Sequence, residues 1–152
     1  MNYFLAALRK YATFSGRARR SEYWYFVLFN IIFATVAIAL DNLFNTTFTF
    51  DTEYGRENTL QGYFYLFYCL AFFLPSLAVI VRRLHDTGKS GAYILVSLIP
   101  LAGAIWLLVL LFTESTPGVN KYGANPKGIG NFDEIEEIGS DIQDKYMVNK
   151  SY

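Results

Sequence analysis

The stretch that decides the fold runs from Tyr63 to Val81 and reads YFYLFYCLAFFLPSLAVIV. It contains no Asp, Glu, Lys or Arg. A helix rises about 1.5 Å per residue, so a helix of this length reaches roughly 28 Å, close to the hydrocarbon thickness of a bilayer. The stretches from Tyr23 to Leu40 and from Ala92 to Phe112 share these properties. The sequence therefore predicts three membrane-spanning helices.

The energy of insertion supports this prediction for the first stretch. Most of its residues are Leu, Ile, Val or Phe, each of which favours insertion by about 0.3 to 0.6 kcal/mol. One central Arg or Asp would cost about 2.5 to 3.5 kcal/mol, and none is present. The buried core helix of a soluble protein is disfavoured, because such helices seldom run past about 14 uncharged residues.

The predicted fold is all-α: an integral membrane helical bundle with three transmembrane helices. Residues 1–112 form a single membrane domain, and residues 113–152 form a polar, partly disordered C-terminal tail with one short helix at Ile135 to Ile142. Phe4, Leu5, Leu8 and Tyr11 fall at helical spacing, which predicts an N-terminal interfacial amphipathic helix. A short flexible leader is one alternative. A signal peptide cleaved near Ala39 is another, although it would exceed the usual length of about 15 to 30 residues.

The charges of the loops predict the orientation of the chain. The segment before the first span is strongly basic, the first loop is acidic, and the second loop is again basic. Since positive loops stay inside, the N-terminus is predicted to be cytoplasmic. Three spans then place the tail after Thr113 on the outer side, where its seven acidic and four basic residues fit.

Pro100 and Gly103 are expected to kink the third span. Two polar clusters are predicted to meet at the cytoplasmic ends of the spans. The clusters comprise Arg17, Arg19, Arg20, Glu22, Arg82, Arg83, His85, Asp86 and Lys89. In the first interpretation, arginine guanidinium groups form bidentate ion pairs with the carboxylates of Glu22 and Asp86. The same cations, with the open amides of the third span, could instead bind a lipid phosphate. A third interpretation is flanking charge together with helix caps, among them Ser90.

The sequence predicts no catalytic, metal or cofactor site. His85 and Asp86 are adjacent in the chain and cannot readily make the contact that a catalytic triad uses. One His and one Cys, Cys69, offer no zinc ligand set. At membrane depth the polar residues include Asn30 and Ser76, which are not ionisable and are expected to bond across helices, so a one-chain transporter is disfavoured.

Four ordered motifs resemble a known family. They are FSGRARRSEYW at 14–24, RRLHDTGKSG at 82–91, IPLAG at 99–103 and TPGVNKYGANP at 116–126. On these residues the chain resembles the YhaH/YhaI type of small bacterial inner-membrane proteins, a family of unknown function. Glu114-Ser115 departs from the pattern, and the tail after Pro126 is longer and more acidic than is usual. The resemblance implies a bacterial inner-membrane location, multi-pass, and no established activity.

The expected function is that of a non-enzymatic membrane protein that assembles with itself, as a homo-oligomer, or with a membrane-protein partner. A subunit of a small-solute channel or transporter and a protein that binds anionic lipid headgroups are the alternatives. The lipid bilayer is the expected surrounding of the chain, and no nucleic acid and no cofactor is expected.

Overall fold

The structure, a computed structural model, describes residues 2 to 52 and 55 to 131. In chain order its elements are α1 (Asn2–Arg9), α2 (Arg20–Leu43), β1 (Thr47–Thr52), β2 (Gly55–Gly62), α3 (Tyr63–Asp86), a 3₁₀ helix (Gly91–Leu98) and α4 (Ala102–Phe112). The described residues form two compact units, one of 2–14 and 21–80 and the other of 15–20 and 81–131. The predicted boundary at residue 112 does not separate these units. The predicted helix at Ile135 to Ile142 lies outside the described residues.

Within the described residues, α2 and α3 are the two helices long and apolar enough to cross a membrane. Each has 24 residues, about 36 Å of helix, and they contain the first and second predicted spans. Their large apolar side chains are mostly exposed, among them Ile31 at 60 % and Phe67 at 68 %. Exposing such apolar faces carries no free-energy penalty when the surrounding solvent is hydrocarbon. Two of the three predicted helices are thus present.

The third predicted span, Ala92 to Phe112, is not one helix. The 3₁₀ helix, which Ser90 caps through a bond from the Ala92 amide, ends at Leu98, and α4 has only 11 residues. Between them Pro100 lacks an amide hydrogen and holds Ile99 in an extended conformation, while Leu101 adopts a positive φ of 61°. Neither piece is long enough to cross roughly 30 Å of hydrocarbon.

The two pieces form a hairpin that starts and ends beside the last turns of α3. A Cβ on Gly103 would lie 1.8 Å from the carbonyl oxygen of Val96, so the glycine allows the chain to fold back. At the start of the hairpin, a Cβ on Gly91 would lie 2.8 Å from a methyl group of Val81. At its end, Arg83 Nε donates to the carbonyl oxygen of Leu111 at 3.2 Å.

Residues after α4 consequently lie beside residues that precede α2. Arg17 Nη1 donates to the carbonyl oxygens of Gly118 at 2.8 Å and Gly123 at 3.2 Å. Groups in hydrogen-bonding contact cannot lie on opposite sides of a bilayer. The prediction that the tail and the N-terminal segment face opposite sides is therefore wrong for Thr113 to Asn131. It failed because a proline and a glycine fold the third apolar stretch in half.

The first loop contains a β-hairpin, which the all-α prediction missed. β1 and β2 pair antiparallel, with Phe50 opposite Glu57 and Thr52 opposite Gly55. The alternation Thr47-Phe48-Thr49-Phe50 was the available signal, since period two with aromatic and β-branched residues is typical of strands.

A buried carboxylate joins the end of α2 to the start of α3. Asp41 accepts from Thr46 Oγ1 at 2.7 Å and from the amides of Gly62 at 3.0 Å, Phe64 at 2.9 Å and Tyr65 at 2.9 Å. These amides include free N–H groups of the first turn of α3, which a carboxylate satisfies well. No local pattern around Asp41 predicts this role.

The N-terminal segment packs within the same unit as most of α2 and α3. Phe4 is buried, and the centroid of its ring lies 4.7 Å from that of Phe29. Tyr11 donates its hydroxyl hydrogen to the carbonyl oxygen of Ala71 at 2.5 Å. That carbonyl needs a partner, because the residue four positions later is Pro75, which has no amide hydrogen. The interfacial location of α1 stays a prediction.

Candidate functional site at the end of α3

Asp86, the last residue of α3, is the centre of the polar contacts in the second unit. One carboxylate oxygen accepts from Arg17 Nε at 3.0 Å. The other accepts from Arg83 Nη1 and from the hydroxyl of Ser115, the latter at 2.5 Å. The side chains of Asp86 and Arg83 are 0 % exposed, and that of Arg17 is 1 % exposed. We call Arg17, Arg83, Asp86 and Ser115 the Asp86 network.

Arg17 holds the segment after α4 in place. Besides Asp86, its guanidinium donates to the carbonyl oxygens of Thr116, Gly118 and Gly123. Five N–H groups in a fixed plane can serve several acceptors at once, which a lysine ammonium on a flexible chain does less well. Arg17 therefore works as a structural anchor for this loop.

Arg83 satisfies the C-terminal end of α4. It donates through Nε to the carbonyl oxygen of Leu111 and through Nη2 to that of Thr113. The last carbonyls of a helix have no partner in their own helix, and the C-terminal end carries partial negative charge. A buried cation at this position therefore stabilises the end of the hairpin while Asp86 balances its charge.

The end of α3 is closed by a glycine turn. Gly88 has φ 75°, the amide of Gly88 donates to the carbonyl of His85, and that of Lys89 donates to the carbonyl of Leu84. This pattern is the Schellman motif, in which glycine relieves the strain of a positive φ. The amide of Thr116 then donates to the carbonyl of Asp86 at 3.0 Å. Gly88 thus ends α3.

His85 is packed between backbone and aromatic groups. Its ring lies parallel to that of Tyr122, with centroids 3.7 Å apart, and its Nδ1 lies 3.2 Å from the carbonyl oxygen of Gly16. That contact favours the tautomer with the hydrogen on Nδ1. Asn120 Nδ2 donates to the carbonyl of His85 at 3.0 Å. The histidine is thus part of the packing of this loop.

The remaining cations predicted for the site lie around the network. Arg19 donates to the carbonyl of Pro126 at 3.1 Å, and Arg20 contacts the carboxylate of Glu114 at 2.7 Å. Lys127 pairs with the other oxygen of Glu114 and, by donating to it, holds the pKa of that carboxyl below its ordinary value of 4.5. Lys89 is exposed, and its Nζ lies 5.6 Å from the ring centroid of Tyr93.

Two further residues of the predicted site, Glu22 and Arg82, are buried, at 7 % and 0 % exposed. Arg82 also accepts at its carbonyl from the amide of Ala18 at 3.0 Å. Arg83, like Arg82, is 0 % exposed.

The side chains of this network mainly hold backbone and one another. Asp86 is buried and accepts hydrogen bonds from Arg17, Arg83 and Ser115. The hydroxyl of Ser115 donates to Asp86 and not to His85, so these three side chains do not make the contacts of a catalytic triad. Among the described residues, no group of three or more His, Cys, Asp or Glu side chains could hold a metal ion.

Sequence reasoning missed the partners that follow α4. Hydroxyl, carbonyl, amide and ring contacts come from five residues of this segment: Ser115, Thr116, Asn120, Tyr122 and Asn125. Asn125 Nδ2, for example, donates to the Thr116 carbonyl at 2.8 Å. Their motif, TPGVNKYGANP, supports the family resemblance, but no contact with the arginines or Asp86 was predicted from it. Its density of Asn and Gly was the available signal, since these residues make side-chain contacts to loops and allow positive φ.

The chain is similar to bacterial inner-membrane proteins. Residues 11–124 match the family model described as protein of unknown function, DUF805. The chain is 42 % identical over 127 residues to inner membrane protein YhaI of Escherichia coli K12, which covers 84 % of this chain and 97 % of the relative. It is 41 % identical over 129 residues to inner membrane protein YhaH of the same strain, covering 84 % and 98 %. No solved structure matches the chain.

Proposed function

The chain belongs to the DUF805 family of inner-membrane proteins of unknown function, and from that premise we propose a non-enzymatic protein that assembles with itself or with another membrane protein. The Asp86 network carries this proposal, because its charged groups are buried and engaged in holding loops together. A site built for chemistry would leave a reactive group open to a substrate.

The face proposed for assembly is on α2. Thr35 and Ala39 are exposed four residues apart, beside the exposed side chains of Ile31 and Ile32. Small residues at this spacing let two helices approach closely in a membrane. The hydroxyl of Thr35 donates to the Ile31 carbonyl at 2.8 Å, so no polar hydrogen on this face needs a partner.

Cross-linking tests the assembly. In a Cys69→Ala background, which removes the single native cysteine, Ala39→Cys should give a disulfide-linked pair in native membranes, whereas Ala34→Cys should give none. The mass of the detergent-extracted protein, and the identity of whatever copurifies with it, are measured in parallel. A monomeric mass, no copurified protein and equal cross-linking at both positions would contradict the proposal.

The proposed topology has two membrane crossings, α2 and α3, with the hairpin of the third apolar stretch entering and leaving on one side. Its support is the contact of both hairpin ends with residues 81 to 83. Because loops rich in basic residues stay inside, residues 15–20, 82–90 and 113–131 lie in the cytoplasm in this topology.

Labelling of cysteines tests the topology in the Cys69→Ala background. An impermeant maleimide should label Thr49→Cys in spheroplasts but label Lys89→Cys and Lys127→Cys only after permeabilisation. Labelling of Lys127→Cys alone from outside would instead require three crossings.

A second candidate function is the binding of anionic lipid. The described part of the second unit carries eight basic residues, Arg17, Arg19, Arg20, Arg82, Arg83, Lys89, Lys121 and Lys127, against Asp86 and Glu114. Lys89, Lys121 and Lys127 are exposed and are the groups that lipid phosphates could reach. Copurified anionic lipid should fall when these three lysines become glutamine, and unchanged lipid content would exclude them.

A further inference from the structure

Within the first unit, α2 and α3 line an open cavity of about 350 Å³. This volume lies in the range of small-molecule sites, roughly 300 to 1,000 Å³. Phe26, Asn30 and Ala34 line it from α2, and Tyr65, Tyr68 and Ser76 line it from α3. Its walls are mainly apolar, with amide and hydroxyl groups at a few points.

The polar wall offers hydrogen-bond donors. Tyr68 donates its hydroxyl hydrogen to the Asn30 side-chain oxygen at 2.8 Å, and Asn30 Nδ2 donates one hydrogen to the carbonyl of Phe26 at 2.9 Å. A carboxamide has two such hydrogens, so one remains for the cavity. The hydroxyl of Ser76 makes no hydrogen bond to another described residue. Donors without acceptors are costly in hydrocarbon, so this wall suits a ligand with an acceptor oxygen.

The depth of these donors restricts the ligand. Asn30 lies ten residues after Arg20, where α2 begins, and Ser76 lies six residues before Arg82, where the segment proposed to be cytoplasmic begins. Ten and six residues of helix measure about 15 and 9 Å, so both donors lie inside the hydrocarbon core. Ester carbonyls of phospholipids lie near the headgroups, whereas a quinone head on an isoprenoid chain carries its carbonyl oxygens into the hydrocarbon.

We propose that this cavity binds a lipid-soluble carbonyl compound of the isoprenoid quinone class. One carbonyl oxygen accepts from Asn30 Nδ2 and from the hydroxyl of Ser76, the ring packs against Phe26 and Tyr68, and the chain extends into the bilayer. Aromatic walls suit a planar ring of this kind. The inference goes beyond the function proposed above and does not depend on a protein partner.

Binding is tested with decylubiquinone titrated into the full-length protein in neutral detergent, followed by quenching of tryptophan fluorescence. Saturable quenching is expected. Ser76→Ala should weaken it by about two- to tenfold, the usual value of one hydrogen bond, while Ser97→Ala, whose hydroxyl bonds only to the Ile94 carbonyl, should not. Ala34→Phe should abolish it by filling the cavity, and Leu70→Phe, at an exposed position of α3 outside the cavity, should leave it unchanged.

A second measurement keeps the test decisive if Ala34→Phe folds poorly, which circular dichroism would show. Organic extracts of the purified wild-type and Ser76→Ala proteins are analysed for quinone and phospholipid per chain. Quinone retained by the wild type and depleted in Ser76→Ala supports the proposal. Absence of saturable quenching overturns the proposal. A bound phospholipid that decylubiquinone does not displace also overturns it. So does a copurified protein that protects Ala34→Cys from reaction with maleimide.

Discussion

Asp86 balances two buried guanidinium groups, and its removal has a cost that can be measured. Asp86→Asn keeps the shape of the side chain but leaves Arg17 and Arg83 buried without a counter-charge. Breaking a buried pair in this way costs about 3 to 5 kcal/mol. Unfolding in mixed micelles should show this loss for Asp86→Asn, whereas Glu114→Gln, whose side chain is 61 % exposed, should change stability far less. Equal losses in both variants would contradict a central role for Asp86.

Glu114 gives the protein a predictable dependence on pH. The bond from Lys127 lowers the pKa of Glu114, so the folded protein favours the charged form of this carboxyl. Its stabilising contribution is fully present above the ordinary pKa of 4.5 and disappears as the pH falls through the lower pKa of the folded state. The stability difference between wild type and Glu114→Gln should therefore vanish at low pH, and a difference that persists at pH ~2 would contradict this assignment.

At the scale of elements, the hairpin formed by the 3₁₀ helix and α4 depends on Gly103. A methyl group there would meet the Val96 carbonyl at 1.8 Å, a contact with backbone that a side-chain rotation cannot relieve. We expect Gly103→Ala to lower the free energy of unfolding by about 3 kcal/mol, the upper end of the usual overpacking range. Ala104→Val, at an exposed neighbouring position of α4, is the control. If both variants melt alike, the two pieces are not packed as closely as described.

At the scale of the whole chain, the residues after α4 are required for the second unit to fold. A chain that stops after Phe112 lacks Ser115, Thr116 and the carbonyls that Arg17 and Arg83 contact. We expect poor yield and a lower melting temperature for it, because the two arginines would lose their acceptors. A chain that stops after Asn131 keeps these contacts and should melt well above the chain that stops after Phe112. Similar melting of both truncations would show that the loop contributes nothing.

Local sequence determined the two helices that can cross a membrane and several of their ends. The stretches around Phe29 and Phe72 contain no charge, and Gly88 ends α3 because only a residue without a side chain takes its φ cheaply. The β-hairpin was also within reach, since Thr47 to Phe50 alternate as strands do. These features depend on residues close together in the chain.

Tertiary structure alone decided what the third apolar stretch does and which charges are paired. Hydropathy treats Ala92 to Phe112 as a span, because it counts transfer to hydrocarbon but not the packing of Gly103 against Val96 that folds the stretch in half. Apart from Arg83, three residues away, Asp86 contacts Arg17, 69 residues before it, and Ser115, 29 residues after it. Contacts so distant in sequence depend on where the helices end in space, which no local pattern records.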